Sequence, residues 1–157
     1  MLRKFSLLLL AAAALSVFSA CKDEDRTDEI AAKIAADLDA YKANTLGDKL
    51  KSTASGLEYI IHEQGTGAAV KDGDFVPTHY YGVLKSTGAE FDNSFTGGGD
   101  PPTFRVGDLI AGFNEGMKLL NRGGKATLFI PWQLGYGANG YGSIPAKADL
   151  VFYIELN

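Results

Sequence analysis

The sequence has little of what metal centres, disulfides and nucleic-acid sites require. It holds one cysteine, Cys21, and two histidines, His62 and His79. A single thiol excludes a disulfide within the chain, and these three side chains are too few for a zinc site. Acidic residues outnumber basic ones by 19 to 15, a net charge of -4, which argues against a nucleic-acid partner. We therefore expect no metal, no cofactor and no nucleic acid.

Long apolar runs are absent beyond the N-terminus. Residues 5–18 form an apolar run that follows Arg3 and Lys4 and precedes small residues. This order is typical of a secretory signal peptide, which we assign to residues 1–20. A transmembrane anchor is the alternative, but a spanning helix needs about 20 apolar residues, and this run is shorter.

The cysteine stands directly after the predicted cleavage point. Its surroundings resemble a bacterial lipobox, in which the cysteine is lipidated and becomes the new N-terminus, although Phe18 stands where leucine is usual. We predict lipidation at Cys21 and a lipidated tether over residues 21–26, with plain secretion as the alternative. Cleavage removes two basic residues, so the remaining charge is 13 minus 19, or -6. The lipid makes the membrane a predicted partner.

Lys22 follows the predicted lipidation site. Lysine at this position resembles an outer-membrane rather than an inner-membrane signal of bacterial lipoproteins. Together with the acidic residues 23–25, it also resembles a surface-export tag of some Gram-negative lineages, and a solvated tether is the alternative. We predict a lipid-anchored protein of the cell envelope, at the outer membrane, that faces either the periplasm or the cell surface.

Residues 27–47 show the apolar spacing of one helix, with Thr27 as the predicted N-cap and Gly47 as the predicted stop. Four apolar residues share one face: Ile30, Ile34, Leu38 and Tyr41. This stripe needs one partner surface, either the domain itself or a second copy of the chain. The stripe is narrow and has no sustained heptads, which favours the domain and a monomer.

The segment 48–157 differs from the helix before it, because it is rich in runs typical of β-strands. Runs typical of strands are separated by Gly, Asn, Asp and Pro, at 57–61, 75–84, 103–106, 125–130 and 149–156. Between them, residues 110–120 carry one short helical pattern. We predict an α+β domain over 48–157, in which an antiparallel sheet wraps around a single helix.

Spaced motifs in this segment resemble one family. In chain order they read SGLEYIIHEQGTG, THYYGVL, GAEFDNS, LIAGFNEGMKLLNRGGKATLFIP, GYGANG and IPAKADLVFYIEL. They resemble the FK506-binding-protein (FKBP) type of peptidyl-prolyl cis-trans isomerase, from about Ser55 to Leu156. The resemblance implies a half-wrapped antiparallel sheet around one short helix, with an aromatic pocket between them. It implies proline-containing polypeptides as substrates and extends to macrolides of the FK506 type as ligands.

The resemblance also implies the site residues. The catalytic positions carried over from the motifs are Tyr80, Asp92, Tyr136 and Phe152. The substrate-binding positions are Phe91, Leu109, Ile110, Phe113, Ile144 and Tyr141. Tyr141 stands where a histidine is common, and we expect it to tune substrate choice. Asp92 either holds the Tyr80 hydroxyl or polarises the carbonyl carbon of the twisted amide.

The chemistry explains why such a site needs no nucleophile. The reaction is rotation about the C–N bond before proline, whose barrier of roughly 18–20 kcal/mol comes from amide resonance. An apolar, dry pocket holds the less polar twisted amide better than the planar one. Rings around the proline, with hydrogen-bond donors for the neighbouring carbonyls, are the expected parts of that pocket.

The sequence departs from the family pattern in residues 94–102. An arginine that pairs with the pocket aspartate is missing, and Pro102 stands where a pocket phenylalanine is usual. This predicts a thinner wall and puts macrolide affinity in doubt. The alternative functions are a chaperone or peptide-binding lipoprotein of the same fold without catalysis and, more weakly, a sugar-binding lipoprotein.

Overall fold

The computed structural model describes residues 21–96 and 98–157, so the predicted signal peptide lies outside the described residues. Two α-helices flank one antiparallel sheet of seven strands, in the order β1-β2-β6-β7-β3-β4, with β5 paired to β3. The helices are α1 (Cys21–Lys42) and α2 (Ala111–Lys118). The strands are β1 (Lys51–Ser52), β2 (Glu58–Glu63), β3 (Phe75–Leu84), β4 (Glu90–Asn93), β5 (Thr103–Arg105), β6 (Lys125–Ile130) and β7 (Leu150–Leu156). The predicted α+β class is confirmed.

Strand β7 shows how the helices cover both faces of the sheet. Successive side chains of a strand point to opposite faces, yet every residue of β7 is buried. Phe152 and Ile154 belong to the core beneath α2, whereas Val151 and Tyr153 belong to the core beneath α1. Because both faces are covered, the strand is almost continuously apolar in sequence.

Helix α2 packs close to the sheet because two glycines face β6. A Cβ at Gly112 would lie 2.6 Å from Ile130 Cγ2, and one at Gly116 would lie 2.3 Å from Leu128 Cδ1. Glycine therefore permits an approach that any larger residue would prevent. This approach seats Phe113 of α2 among the buried residues of the core.

Helix α1 covers the opposite face of the sheet. Ile30, Ile34 and Leu38 are buried against residues of the central strands. Tyr41 stacks on Phe129 of β6, with ring centres 4.4 Å apart. The apolar stripe therefore packs on the sheet of its own chain, the partner that its narrow pattern favours. Within the described ranges, no helix is long and apolar enough to cross a lipid bilayer.

The ends of α1 differ from the predicted range of 27–47. The described part of the helix already includes Cys21, and residues 21–26 contain no glycine or proline that would interrupt it. The segment predicted as a tether, 21–26, is therefore helical, and Thr27 lies inside the helix rather than at its cap.

The C-terminal stop of α1 is Asn44 rather than Gly47. Asn44 has a positive φ of 54°, its N–H donates to the Tyr41 carbonyl at 3.0 Å, and the Thr45 N–H donates to the Ala40 carbonyl at 3.0 Å. This pair of hydrogen bonds is a Schellman motif, which closes the helix at an asparagine because that side chain tolerates the left-handed region.

Candidate active site

A cavity of about 160 Å³ opens between α2 and the sheet. It is lined by Tyr80, Asp92, Phe104, Leu109, Ile110, Phe113, Tyr136 and Phe152. All four predicted catalytic residues and three of the predicted substrate-binding residues thus face one space. Strands β3, β4, β5 and β7 supply the wall, the turn into α2 and the helix itself supply the floor, and the loop after β6 supplies the rim.

Phe152 is the centre of an aromatic cluster. Its ring centre lies 5.2 Å from that of Phe113 and 5.3 Å from that of Phe91, both in edge-to-face orientation. The Tyr80 ring lies 6.3 Å away. Edge-to-face contacts of this kind stabilise aromatic pairs beyond the area they bury. The cluster gives the cavity a rigid apolar wall.

The polar part of the site is a pair formed by Tyr80 and Asp92. The Tyr80 hydroxyl donates to Asp92 Oδ2 at 2.8 Å. Burial raises the pKa of Tyr80 above its usual 10, and the Asp92 carboxylate raises it further. Burial, followed by Asp92 and Tyr141, also raises the pKa of Tyr136. A phenol is already protonated at neutral pH, so both hydroxyls can donate hydrogen bonds there, and the raised pKa values extend this to higher pH.

Three predicted binding residues do not line the cavity itself. Phe91 packs behind Phe152. Gly82 leaves room for the Phe91 ring, because a Cβ on Gly82 would lie only 2.7 Å from it. Ile144 is buried in the core under α2. Tyr141 is 72% exposed and stacks on Tyr136 with ring centres 5.5 Å apart.

Sequence reasoning missed Phe104. Its ring lies 5.8 Å from that of Tyr80 and 6.3 Å from that of Phe113, so the wall near Pro102 is not left without an aromatic residue. A signal for it was present: in the run 103–106 that the sequence predicts as a strand, Phe104 is two residues from Val106, which is buried, so both are predicted to share one face.

The fold and the cavity define a class of α+β protein, in which an aromatic ligand cavity lies between an antiparallel sheet and one short helix. A sequence profile described as FKBP-type peptidyl-prolyl cis-trans isomerase matches residues 67–157. The chain belongs to this family, as its motifs predict.

Curated relatives from bacteria agree with this assignment. The chain is 46% identical over 114 residues to the FKBP-type peptidyl-prolyl cis-trans isomerase FkpA of Aeromonas hydrophila, covering 73% of this chain and 42% of that protein. It is 45% identical over 107 residues to FkpA of Escherichia coli (strain K12), covering 68% of this chain and 39% of that protein. The chain thus spans less than half the length of these relatives.

Solved structures agree as well. The crystal structure of FkpA from Escherichia coli superposes with a TM-score of 0.68 at 38% sequence identity, covering 85% of this chain and 62% of that one. The crystal structure of AtFKBP13 superposes with a TM-score of 0.61 at 35% identity, covering 68% of this chain and 95% of that one.

Proposed function

We propose that the chain is a peptidyl-prolyl cis-trans isomerase that accelerates isomerisation of X–Pro bonds during protein folding. The observation that carries this proposal is the Tyr80–Asp92 hydrogen bond, which lies at a cavity otherwise walled by aromatic and aliphatic side chains. The proline ring would enter among Phe113, Phe152 and Phe104. The backbone N–H of Ile110 and the Tyr136 hydroxyl would bind the neighbouring carbonyls.

Such a cavity can favour the twisted amide without making or breaking a covalent bond. Twisting removes amide resonance and with it part of the charge on the carbonyl oxygen. The twisted form therefore loses less hydration free energy than the planar form when it leaves water. Each preference of about 1.4 kcal/mol for the twisted form over the planar one accelerates the rotation about tenfold. Uncatalysed rotation takes tens to hundreds of seconds, which makes such an acceleration useful in folding.

Substitution of the polar pair tests the proposal. Asp92→Ala is expected to lower kcat/KM on short X–Pro peptides by about tenfold or more, since a hydrogen bond to a charged group contributes at least about 1.5 kcal/mol. The measurement is a chymotrypsin-coupled isomerisation assay. Inhibition of the unmodified chain by FK506 in that assay would show that macrolides enter the same cavity.

The control for this assay is Tyr41→Phe. Tyr41 donates to Glu58 at 2.5 Å on the face of the sheet opposite the cavity, so Tyr41→Phe removes a similar hydrogen bond away from the site. It is expected to leave activity unchanged. If the wild-type chain isomerises the peptides no faster than buffer alone, the proposed enzymatic activity is rejected in favour of a non-catalytic binding module.

Tyr141 is proposed to select the residue that precedes proline. It is exposed, and its ring lies flat against that of Tyr136 at the rim, with 14° between the two planes. Tyr141→Ala is expected to change the order of preference in a peptide series varied at that residue, with a smaller change in the mean rate. An equal loss of kcat/KM on every peptide would contradict this role.

A lipid at Cys21 is proposed to anchor the domain to the outer membrane of the cell envelope. The support is sequence position alone: Cys21 follows an apolar leader, and Lys22 follows the cysteine. Metabolic labelling with an alkyne fatty acid is expected to mark the wild-type chain and the control Lys22→Ala, but not Cys21→Ser. Label retained by Cys21→Ser would exclude this anchor.

Two further readouts use the same chains. A membrane-impermeant reagent applied to whole cells would separate a surface-facing domain from a periplasmic one. The released Cys21→Ser chain is expected to sediment as a monomer, because Ile30, Ile34 and Leu38 are buried on the sheet of their own chain.

A further inference from the structure

Arg26 of α1 covers a cluster of residues on the side of the sheet opposite the cavity. Its guanidinium forms an ion pair with Glu155 of β7, and its Cζ lies 5.1 Å from the centre of the Phe95 ring. Phe95 in turn stacks on His79 of β3, with ring centres 4.8 Å apart. We call Arg26, His79, Phe95 and Glu155 the Arg26 cluster. Apart from Arg26, its members are all buried.

The Arg26 cluster is joined to both members of the polar pair. His79 immediately precedes Tyr80 in β3, and its partner across the sheet is Glu155. Phe95 follows Asp92 by three residues, just beyond the end of β4. Because neighbouring residues of a strand point to opposite faces, the cluster lies behind the strands whose other face carries the pair.

Ser94 connects the two strands at this point. The Tyr80 N–H donates to Ser94 Oγ at 2.8 Å, and the Ser94 N–H donates to the Tyr80 carbonyl at 2.9 Å. Ser94 Oγ also lies 3.2 Å from His79 Nδ1. The backbone of Tyr80 is therefore held by the residue directly before Phe95.

We propose that Arg26 is a positioning residue for the Tyr80–Asp92 pair, acting through Phe95 and His79. By closing over Phe95 and pairing with Glu155, Arg26 fixes the chain after β4 against β3, and thereby fixes the Asp92 carboxylate against the Tyr80 hydroxyl. The proposal rests on the proposed function of the cavity. The proposal assigns a functional role to α1, which lies outside the family match at residues 67–157.

Helix α1 offers a matched control in Lys33. The side chains of Arg26 and Lys33 are 46% and 39% exposed, and each pairs with a carboxylate that is about 10% exposed, at 8% for Glu155 and 12% for Asp37. Asp37 accepts from Thr127 of β6 at 2.6 Å, so the Lys33 pair also lies where α1 meets the sheet. Lys33→Ala thus removes a comparable pair away from Phe95.

The experiment compares Arg26→Ala and Lys33→Ala in the full chain, at a temperature where circular dichroism shows both to be folded. Arg26→Ala is expected to lower kcat about tenfold with KM almost unchanged, since a misplacement of about 1 Å can cost roughly 100-fold in rate. Arg26→Lys is expected to recover part of the loss, because it keeps a cation at the ring and the carboxylate. Lys33→Ala is expected to keep the kcat of the unmodified chain.

A second readout does not depend on catalysis. In a chain labelled with ¹³C at the tyrosine ζ carbons, the Tyr80 signal is identified by its loss in Tyr80→Phe. Arg26→Ala is expected to shift that signal, and Lys33→Ala to leave it in place. An inactive unmodified chain would reject the proposed function, yet this signal would still test the positioning. Equal behaviour of Arg26→Ala and Lys33→Ala in both kcat and the Tyr80 signal would overturn the proposed positioning role of Arg26.

Discussion

Replacing Phe152 with alanine is expected to lower kcat/KM roughly 100-fold or more, a loss of about 2.7 kcal/mol in transition-state binding. The same change is expected to lower the free energy of unfolding by about 3–5 kcal/mol. Phe152 is 4% exposed and contacts the rings of Phe113, Phe91 and Tyr80, so its removal leaves a void that water reaches from the cavity. Both effects have one cause, which is the loss of the ring that joins core and site.

Two variants separate these effects. Phe75→Ala is the same substitution at a residue of β3 that is 64% exposed, and it is expected to change stability by less than about 0.5 kcal/mol. Phe152→Leu keeps most of the volume and should cost less than about 1.5 kcal/mol in stability, measured by chemical denaturation. It is nevertheless expected to lose activity, because the ring is absent. Full activity in Phe152→Leu would contradict an aromatic requirement.

Most of the residues that line the cavity could be predicted because each lies in a short motif that resembles a motif of the family. Asp92 follows Phe91 in a strand, and Phe113 lies between Gly112 and Gly116, which allow α2 to approach the sheet. What the motifs do not contain is the contact between distant segments. The stack of Tyr141 on Tyr136, and the burial of Ile144 beneath the rim, depend on how the loop closes on itself.

Phe104 shows the limit of reasoning from resemblance. The missing phenylalanine at Pro102 predicts a thinner wall, but β5 pairs with β3 in a register that places Phe104 opposite Val76. That register brings the Phe104 ring to the cavity from two residues further along the chain. A register between strands almost thirty residues apart is set by packing of the whole sheet, so local sequence does not determine it.

The end of α1 shows a different limit. Asn44 and Gly47 both adopt positive φ, at 54° and 52°. Glycine is the commoner residue at this position of a helix end, which makes Gly47 the expected stop from sequence. Asn44 comes first along the chain and already closes the helix, so Gly47 begins a short 3-10 turn instead. The choice between two permitted stops depends on where the chain must turn toward β1.

Replacing Gly140 with alanine is expected to disrupt the rim of the cavity. Gly140 has a φ of +73°, and a Cβ there would lie 2.3 Å from the Ile144 carbonyl oxygen and 2.7 Å from the Pro145 carbonyl carbon. These are backbone atoms, so the loop itself must move. The movement would break the hydrogen bonds that Tyr141 and Ile144 exchange at 3.0 and 2.8 Å. Since a shift of about 1 Å can cost roughly 100-fold, kcat/KM should fall by 10-fold to 100-fold.

Gly142 provides the matched control for Gly140. Its φ of +54° is also positive, but nothing lies within 4 Å of a Cβ placed there. Gly142→Ala and Gly140→Ala share the cost of a left-handed residue, about 1–2 kcal/mol, and only Gly140→Ala adds the clash. The difference in kcat/KM between them therefore measures what the closed rim contributes to catalysis. Equal activity in the two variants would mean that the loop between β6 and β7 is a flexible connection, and that Tyr136 reaches the substrate without being held.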